Sequence, residues 1–240
     1  MKLFKKTVKS LPNNDKGGHW QEVVELYTHS PTESLVEALH LGSVEGVGAC
    51  TTALKMDLKG NEEKNFHIYV DTYLEFLIFY LNDLDRIVFQ ELGQGDRDSF
   101  IDVILENSFS KAAHYYYGQD RSRGMDRIGE KYNQALSEYA SCTSFSPAHN
   151  RSIFAKDSSI SVLGCRVIKA MNMDAANYIE RYLIVGTCWK MVQEFLAVIN
   201  LKEWVKGPIM AMNLKHYDST KLIDEEMQKR VLGFLKVKDM

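Results

Sequence analysis

Residues 65–92 read NFHIYVDTYLEFLIFYLNDLDRIVFQEL. Within them Phe66, Tyr69, Val70, Tyr73, Phe76, Leu77, Tyr80, Leu81, Leu84, Ile87 and Val88 recur at three- and four-residue steps, the spacing of a helix face. Ile68, Leu74, Ile78, Phe79 and Phe89 cover much of the remaining circumference. A helix apolar on nearly every side needs neighbours on several sides, so the pattern predicts a helix at the centre of a bundle. It does not predict a membrane span. The longest uncharged runs inside the apolar helices, residues 76–82 and 182–189, are far shorter than the ~20 residues a bilayer requires.

Outward from this segment the signals are again helical. Ser30-Pro31-Thr32-Glu33 is a helix start, with serine as cap, proline at the first position and glutamate reaching back to the cap amide. That helix is expected to stop near Gly42, leaving 43–60 ambiguous. After residue 92, GQGDRDS reads as a turn, followed by a helix marked by Phe100, Ile101, Ile104, Leu105, Phe109, Ala112, Ala113 and Tyr116 and closed at Gly118. Met125, Ile128, Tyr132, Leu136 and Tyr139 mark another. A loop over 143–156 leads to Asp157 or Ser158 as the cap of the next. Asp174 then opens the longest candidate, 175–206, with Ile179, Tyr182, Leu183, Trp189, Val192, Phe195, Leu196, Ile199 and Trp204, about 48 Å long if unbroken. Gly186 is a candidate kink in it. Ser219 caps a last amphipathic segment bearing Leu222, Ile223, Val231, Leu232 and Leu235.

Sustained strand alternation is absent, so the fold class is all-α: a single multi-helix bundle of about seven to nine helices around a long central apolar helix. Residues 1–18 form a basic tail and flexible joint, and 19–240 one helical domain. The tail holds Lys2, Lys5, Lys6, Lys9 and Lys16 against Asp15. Its charge of +4 leaves −7 on the rest of a chain whose net charge is −3. Such a balance supplies no global field for nucleic acid. Leu3, Phe4, Val8 and Leu11 among those lysines make residues 1–11 a candidate for membrane-surface contact, although a frayed chain end is the better explanation of them. The start lacks an apolar core of signal-peptide length. The cysteines, Cys50, Cys142, Cys165 and Cys188, are scattered and sit in apolar or small-residue settings. They read as reduced thiols of a cytoplasmic protein.

Three constellations are candidates for function. His67, Asp71, Glu75, Asn82 and Arg86 lie at steps of four, four, seven and four, which puts all five on one face of the central helix. Carboxylates and an imidazole so spaced are what a bundle uses to bind a small ligand or metal, or to move protons. Local ion pairing along a polar edge is the structural alternative. Tyr115, Tyr116 and Tyr117, followed by Arg121 and Arg123, combine aromatic and guanidinium groups in the manner of a protein interface. Here the alternative is packing, with each ring buried and its hydroxyl at the surface. Glu37 and His40 form an ExxH, one of the pairs a di-iron carboxylate bundle uses, but the second ExxH and further glutamates are missing, so no metal site is assigned.

No phosphate loop, GxSxG or HExxH occurs, and the histidines at 19, 29, 40, 67, 114, 149 and 216 show no paired ligand spacing. The sequence therefore identifies no cofactor and does not decide whether the chain is an enzyme. Its leading expectation is a non-catalytic helical protein acting through protein–protein interaction or assembly, with a homodimer or another protein as partner. This rests on twelve tyrosines and three tryptophans, more aromatic area than helix packing requires. The alternative is a small-ligand or metal-binding helical-bundle enzyme with a pocket beside the central helix.

Overall fold

The computed structural model describes residues 31–56, 62–145, 154, 157–174 and 177–198. The basic tail, the joint, the Ser219-capped segment and the far end of the 175–206 helix lie outside these residues. Among the described residues the chain is all-helical. Its elements are α1 (Pro31–Ala53), α2 (Glu62–Tyr117), a 3-10 turn (Gly118–Asp120), α3 (Arg121–Tyr139), α4 (Ser159–Ala170) and α5 (Tyr178–Val198). The one β-feature among the described residues is an isolated bridge between Ser144 and Ser158. No helix of the described residues is long and apolar enough to cross a membrane.

α2 is helical throughout except at Gly93, where φ is 73° and ψ is −175°. Only glycine occupies that backbone region readily, because any Cβ would collide with the chain. The chain reverses there. Residues 94–117 fold back along 62–92, so that Arg97 reaches Asp85 at 2.7 Å and the ring of Tyr116 lies 4.7 Å from that of Tyr73. In a straight helix residues 73 and 116 would be about 65 Å apart. The turn expected from GQGDRDS thus contracts to one residue, and the second helix begins well before Phe100.

α1 is described from Pro31, its expected cap Ser30 lying outside the described residues, and it does not stop at Gly42. It continues to Ala53. The reason is packing. A Cβ at Gly42 would lie 2.7 Å from the Phe195 ring, and one at Gly46 would lie 2.7 Å from the Phe76 ring. Both glycines are contact points where large rings press on the helix backbone, and the contact outweighs glycine's low helix propensity of about 1 kcal/mol.

The other helices gather on the first arm of α2. Arg127 pairs with Asp71 and Lys131 with Glu75, each at 3.2 Å, so α3 runs beside that arm in the same direction. On α4, Arg166 reaches Glu75 while Ser159 meets Arg86, so α4 runs the opposite way. Ser158 caps α4, its hydroxyl accepting the Ser161 N–H at 3.2 Å. α5 packs through Val185 against Gly164 and through Phe195 against Tyr80, ring centroids 4.2 Å apart. Its cap is Asn177, whose side-chain oxygen accepts the Glu180 N–H; the helix opens there and not at Asp174. Gly186 lies within α5 and produces no break in the helix.

The core that results contains Tyr73, Leu74, Phe76, Leu77, Ile78, Phe79, Tyr80 and Leu81, each no more than 1% exposed. Burial of so many large side chains is the main term holding the helices together, at roughly 1.5–3 kcal/mol for each fully buried aliphatic or phenylalanine side chain.

Candidate functional site

The five polar-stripe residues separate into three environments. His67 is exposed. Asp71 and Glu75 meet cations from two other helices: Asp71 pairs with Arg127 and Lys131, and Glu75 with Lys131 at 3.2 Å and Arg166 at 2.6 Å. Arg166 also holds Glu138 at 3.0 Å, which closes a ladder of alternating charge across α2, α3 and α4. Burial works against the Arg166 charge, but Glu75 and Glu138 more than offset it and hold the guanidinium above its ordinary value. Asn82 is buried, and Arg86 donates to the Ser159 hydroxyl at 2.9 Å. The stripe is therefore consumed by interhelical pairing along much of its length.

Arg86 also borders a cleft of about 320 Å³ at the Gly93 reversal, lined with Asp85, Phe89, Gln90, Gln94 and Arg97. Arg97 grips Asp85 through two nitrogens at 2.7 Å each, so this ion pair forms one wall. Two residues before Asp85, burial pushes the carboxyl of Asp83 up to about 6, although Arg86 pulls it down.

A second polar group lies wholly inside the fold. Glu37 and Lys111 form an ion pair with each side chain only 1% exposed. One helical turn along, His40 is hydrogen-bonded to the Tyr73 hydroxyl. Burial lowers the His40 imidazole to about 3, and its contact with the Ser108 backbone offsets this only in part. Burial also keeps Tyr73 and Tyr116 protonated well above their ordinary range. The ExxH carboxylate and imidazole thus face Lys111 and Tyr73. Among the described residues no group of three or more histidine, cysteine, aspartate or glutamate side chains is placed to hold a metal ion.

The tyrosine–arginine candidates sit at the junction of α2 and α3. Tyr116 is buried against Tyr69 and Tyr73, and Tyr115 lies under the Lys111 ammonium at 5.8 Å. Tyr117 covers Gly124, where a Cβ would come within 2.6 Å of its ring. Arg121 donates to the Ser110 hydroxyl, while Arg123 is exposed and pairs with Asp120 at 3.7 Å. Packing and local pairing account for all but the outward reach of Arg123.

The largest departure from the sequence pattern is at the start of α5. Ile179, Tyr182 and Leu183 belong to the apolar series that predicts this helix, yet they are 79%, 55% and 42% exposed, and Tyr178 is 60% exposed. At i, i+1, i+4 and i+5 the four side chains form one contiguous apolar face. In the flanking sequence Asp174 and Glu180 balance Lys169 and Arg181. A helix apolar all round, as this one is, gives no periodic cue to which face is left uncovered. Lys111 was equally hidden in the sequence, because its glutamate partner lies on another helix far along the chain.

No protein-family model matches this chain, and no curated protein or solved structure resembles it significantly.

Proposed function

We propose that this chain is a non-catalytic interaction protein that docks an apolar helix of a protein partner on the start of α5. One observation carries the reading: Tyr178, Ile179, Tyr182 and Leu183 stand exposed side by side on one helix. Isolated surface hydrophobes are ordinary, but a contiguous group rich in tyrosine has the composition of an interface centre. The ligand-pocket alternative is weakened because Asp71 and Glu75, its proposed lining, already face Arg127, Lys131 and Arg166.

The test is affinity capture from cells of the source with wild-type and Ile179→Asp baits. A protein retained by the first and lost from the second supports the reading. Identical captures by both baits contradict it. A homodimer is one form such a partner takes, and light scattering across concentrations separates it from a different protein.

The same reading places residues 62–92 at the hub of the bundle, supported by contacts to them from every other α-helix described. It also keeps the chain in the cytoplasm, supported by four cysteines of which none forms a disulfide. A second reading, small-ligand binding, draws on the cleft beside Arg86. Thermal shifts with small carboxylates and phosphates test it, and a panel without an Arg86-dependent shift removes it.

A further inference from the structure

We propose that Cys50 and Cys188 form a redox pair, which a hydroperoxide closes into a disulfide that ties the last turn of α1 to the middle of α5. The inference is independent of the docking reading and concerns the buried side of α5.

Packing brings the two thiols together. α1 and α5 meet where the Phe195 ring presses on Gly42. They meet again at Cys50 and Cys188, whose side chains are hydrogen-bonded to one another. Cys50 lies eight residues after Gly42, and Cys188 seven residues before Phe195. These displacements, about 12 and 11 Å, match as they must between two antiparallel helices. The thiol contact is therefore part of the helix register. Both side chains are fully buried, and both lie close enough to Tyr80 to add to the effect of burial in keeping its hydroxyl protonated. Cys165 of α4 is the third thiol that acts on Cys188, which makes it the competing partner.

Position decides which sulfur reacts first. Cys188 lies in the middle of α5, whereas Cys50 lies in the last turn of α1, which ends at Ala53. Opening that one turn, with loss of bonds such as the Leu54 N–H to the Cys50 carbonyl at 3.1 Å, uncovers the Cys50 thiol without unfolding the bundle. Its thiolate attacks the peroxide, the O–O bond breaks, and Cys50 becomes a sulfenic acid as one water leaves. When the turn recloses, the Cys188 sulfur attacks that of Cys50. The S–S bond forms, the hydroxyl departs with the Cys188 proton as a second water, and the peroxide has taken two electrons from two thiols. Burial, and then the Cys50 sulfur beside it, hold the Cys188 thiol well above its ordinary range, so closure is slow and answers sustained oxidation. In a reducing compartment the bond is transient, which is the behaviour of a sensor.

The experiment treats the full-length purified protein with hydrogen peroxide, alkylates the remaining thiols under denaturant and maps the peptides by mass spectrometry without reduction. The expected product joins the Cys50 and Cys188 peptides within one chain. It should exceed any other pairing roughly tenfold or more, since thiols already in contact are the ones that meet the geometry of the bond. Cys142→Ser and Cys165→Ser, at the two half-buried cysteines, should leave this product unchanged. Cys50→Ala and Cys188→Ala, with folding checked by circular dichroism, should each abolish it. The closed form should also melt at a higher temperature than the same protein reduced with dithiothreitol. A link from Cys165 to Cys188 in place of the expected one, a spread over all pairings, or Cys50 and Cys188 still alkylated after Cys142 and Cys165 have been oxidised would each overturn the inference.

Discussion

Lys111 closes on Glu37 where neither side chain is more than 1% exposed, and this pair ties α1 to the second arm of α2. Two charges withdrawn from water are stable only together. Breaking such a pair costs more than the pair contributes relative to an apolar replacement. Lys111→Met should therefore lower unfolding free energy by about 3–5 kcal/mol, while Glu37→Leu combined with Lys111→Met should recover most of the loss. Urea midpoints of the two variants decide it. A double variant no more stable than the single one would show that the pair itself supplies the stability.

Glycines in this fold have opposite roles according to what faces them. Gly42→Ala must push its methyl into the Phe195 ring, and a loss of about 1–3 kcal/mol is expected. Gly129, in α3, has nothing within 4 Å of its would-be Cβ. Gly129→Ala should add about 0.5–1 kcal/mol through helix propensity alone. Thermal unfolding of both variants checks the signs; a stabilised Gly42→Ala would contradict the close α1–α5 contact.

The buried His40 and the partly buried Asp83 give stability a characteristic pH dependence. His40 is held near 3, below the ~6.5 of an unfolded histidine, so acid favours the unfolded chain between these values. Asp83 is raised to about 6 from 3.8, so the native state holds the extra proton between these values and loses stability as pH rises through them. From about pH 4 to 6 the two slopes, each about 1.4 kcal/mol per pH unit, oppose one another. Asp83→Asn should thus be more stable than wild type at pH 7.5 and should expose the His40 slope, losing stability as pH falls from 6 to 4. An unchanged profile in this variant would refute the assignment.

Glu75 decides between ladder and ligand site. Glu75→Gln removes the charge that Arg166 and Lys131 share, and stability should fall by about 1–3 kcal/mol. Metal content by elemental analysis should be the same for both proteins. A metal carried by the wild type and lost in the variant would restore the pocket reading.

The helical class, the Ser158 cap and the apolar column from Phe66 to Val88 could be read from the sequence, because each depends on residues close together in it. What escaped it depends on distant partners. Gly42 looked like a terminator since its propensity is local, whereas the Phe195 ring that makes it necessary comes from α5. The polar stripe was visible as a stripe, but Lys131 and Arg166, which neutralise it, are supplied by α3 and α4. The exposed face of α5 had no signature, as its apolar residues encircle the helix and only the packing of α1 and α4 settles which remain uncovered.

The most direct measurement places the photoreactive amino acid p-benzoylphenylalanine at position 179 in living cells of the source, with the same residue at the exposed Gln134 of α3 as reference. The proposed role requires an adduct heavier than the 27.5 kDa chain from position 179 and none from position 134. Equal labelling at both positions, or no heavier adduct from 179, would contradict it.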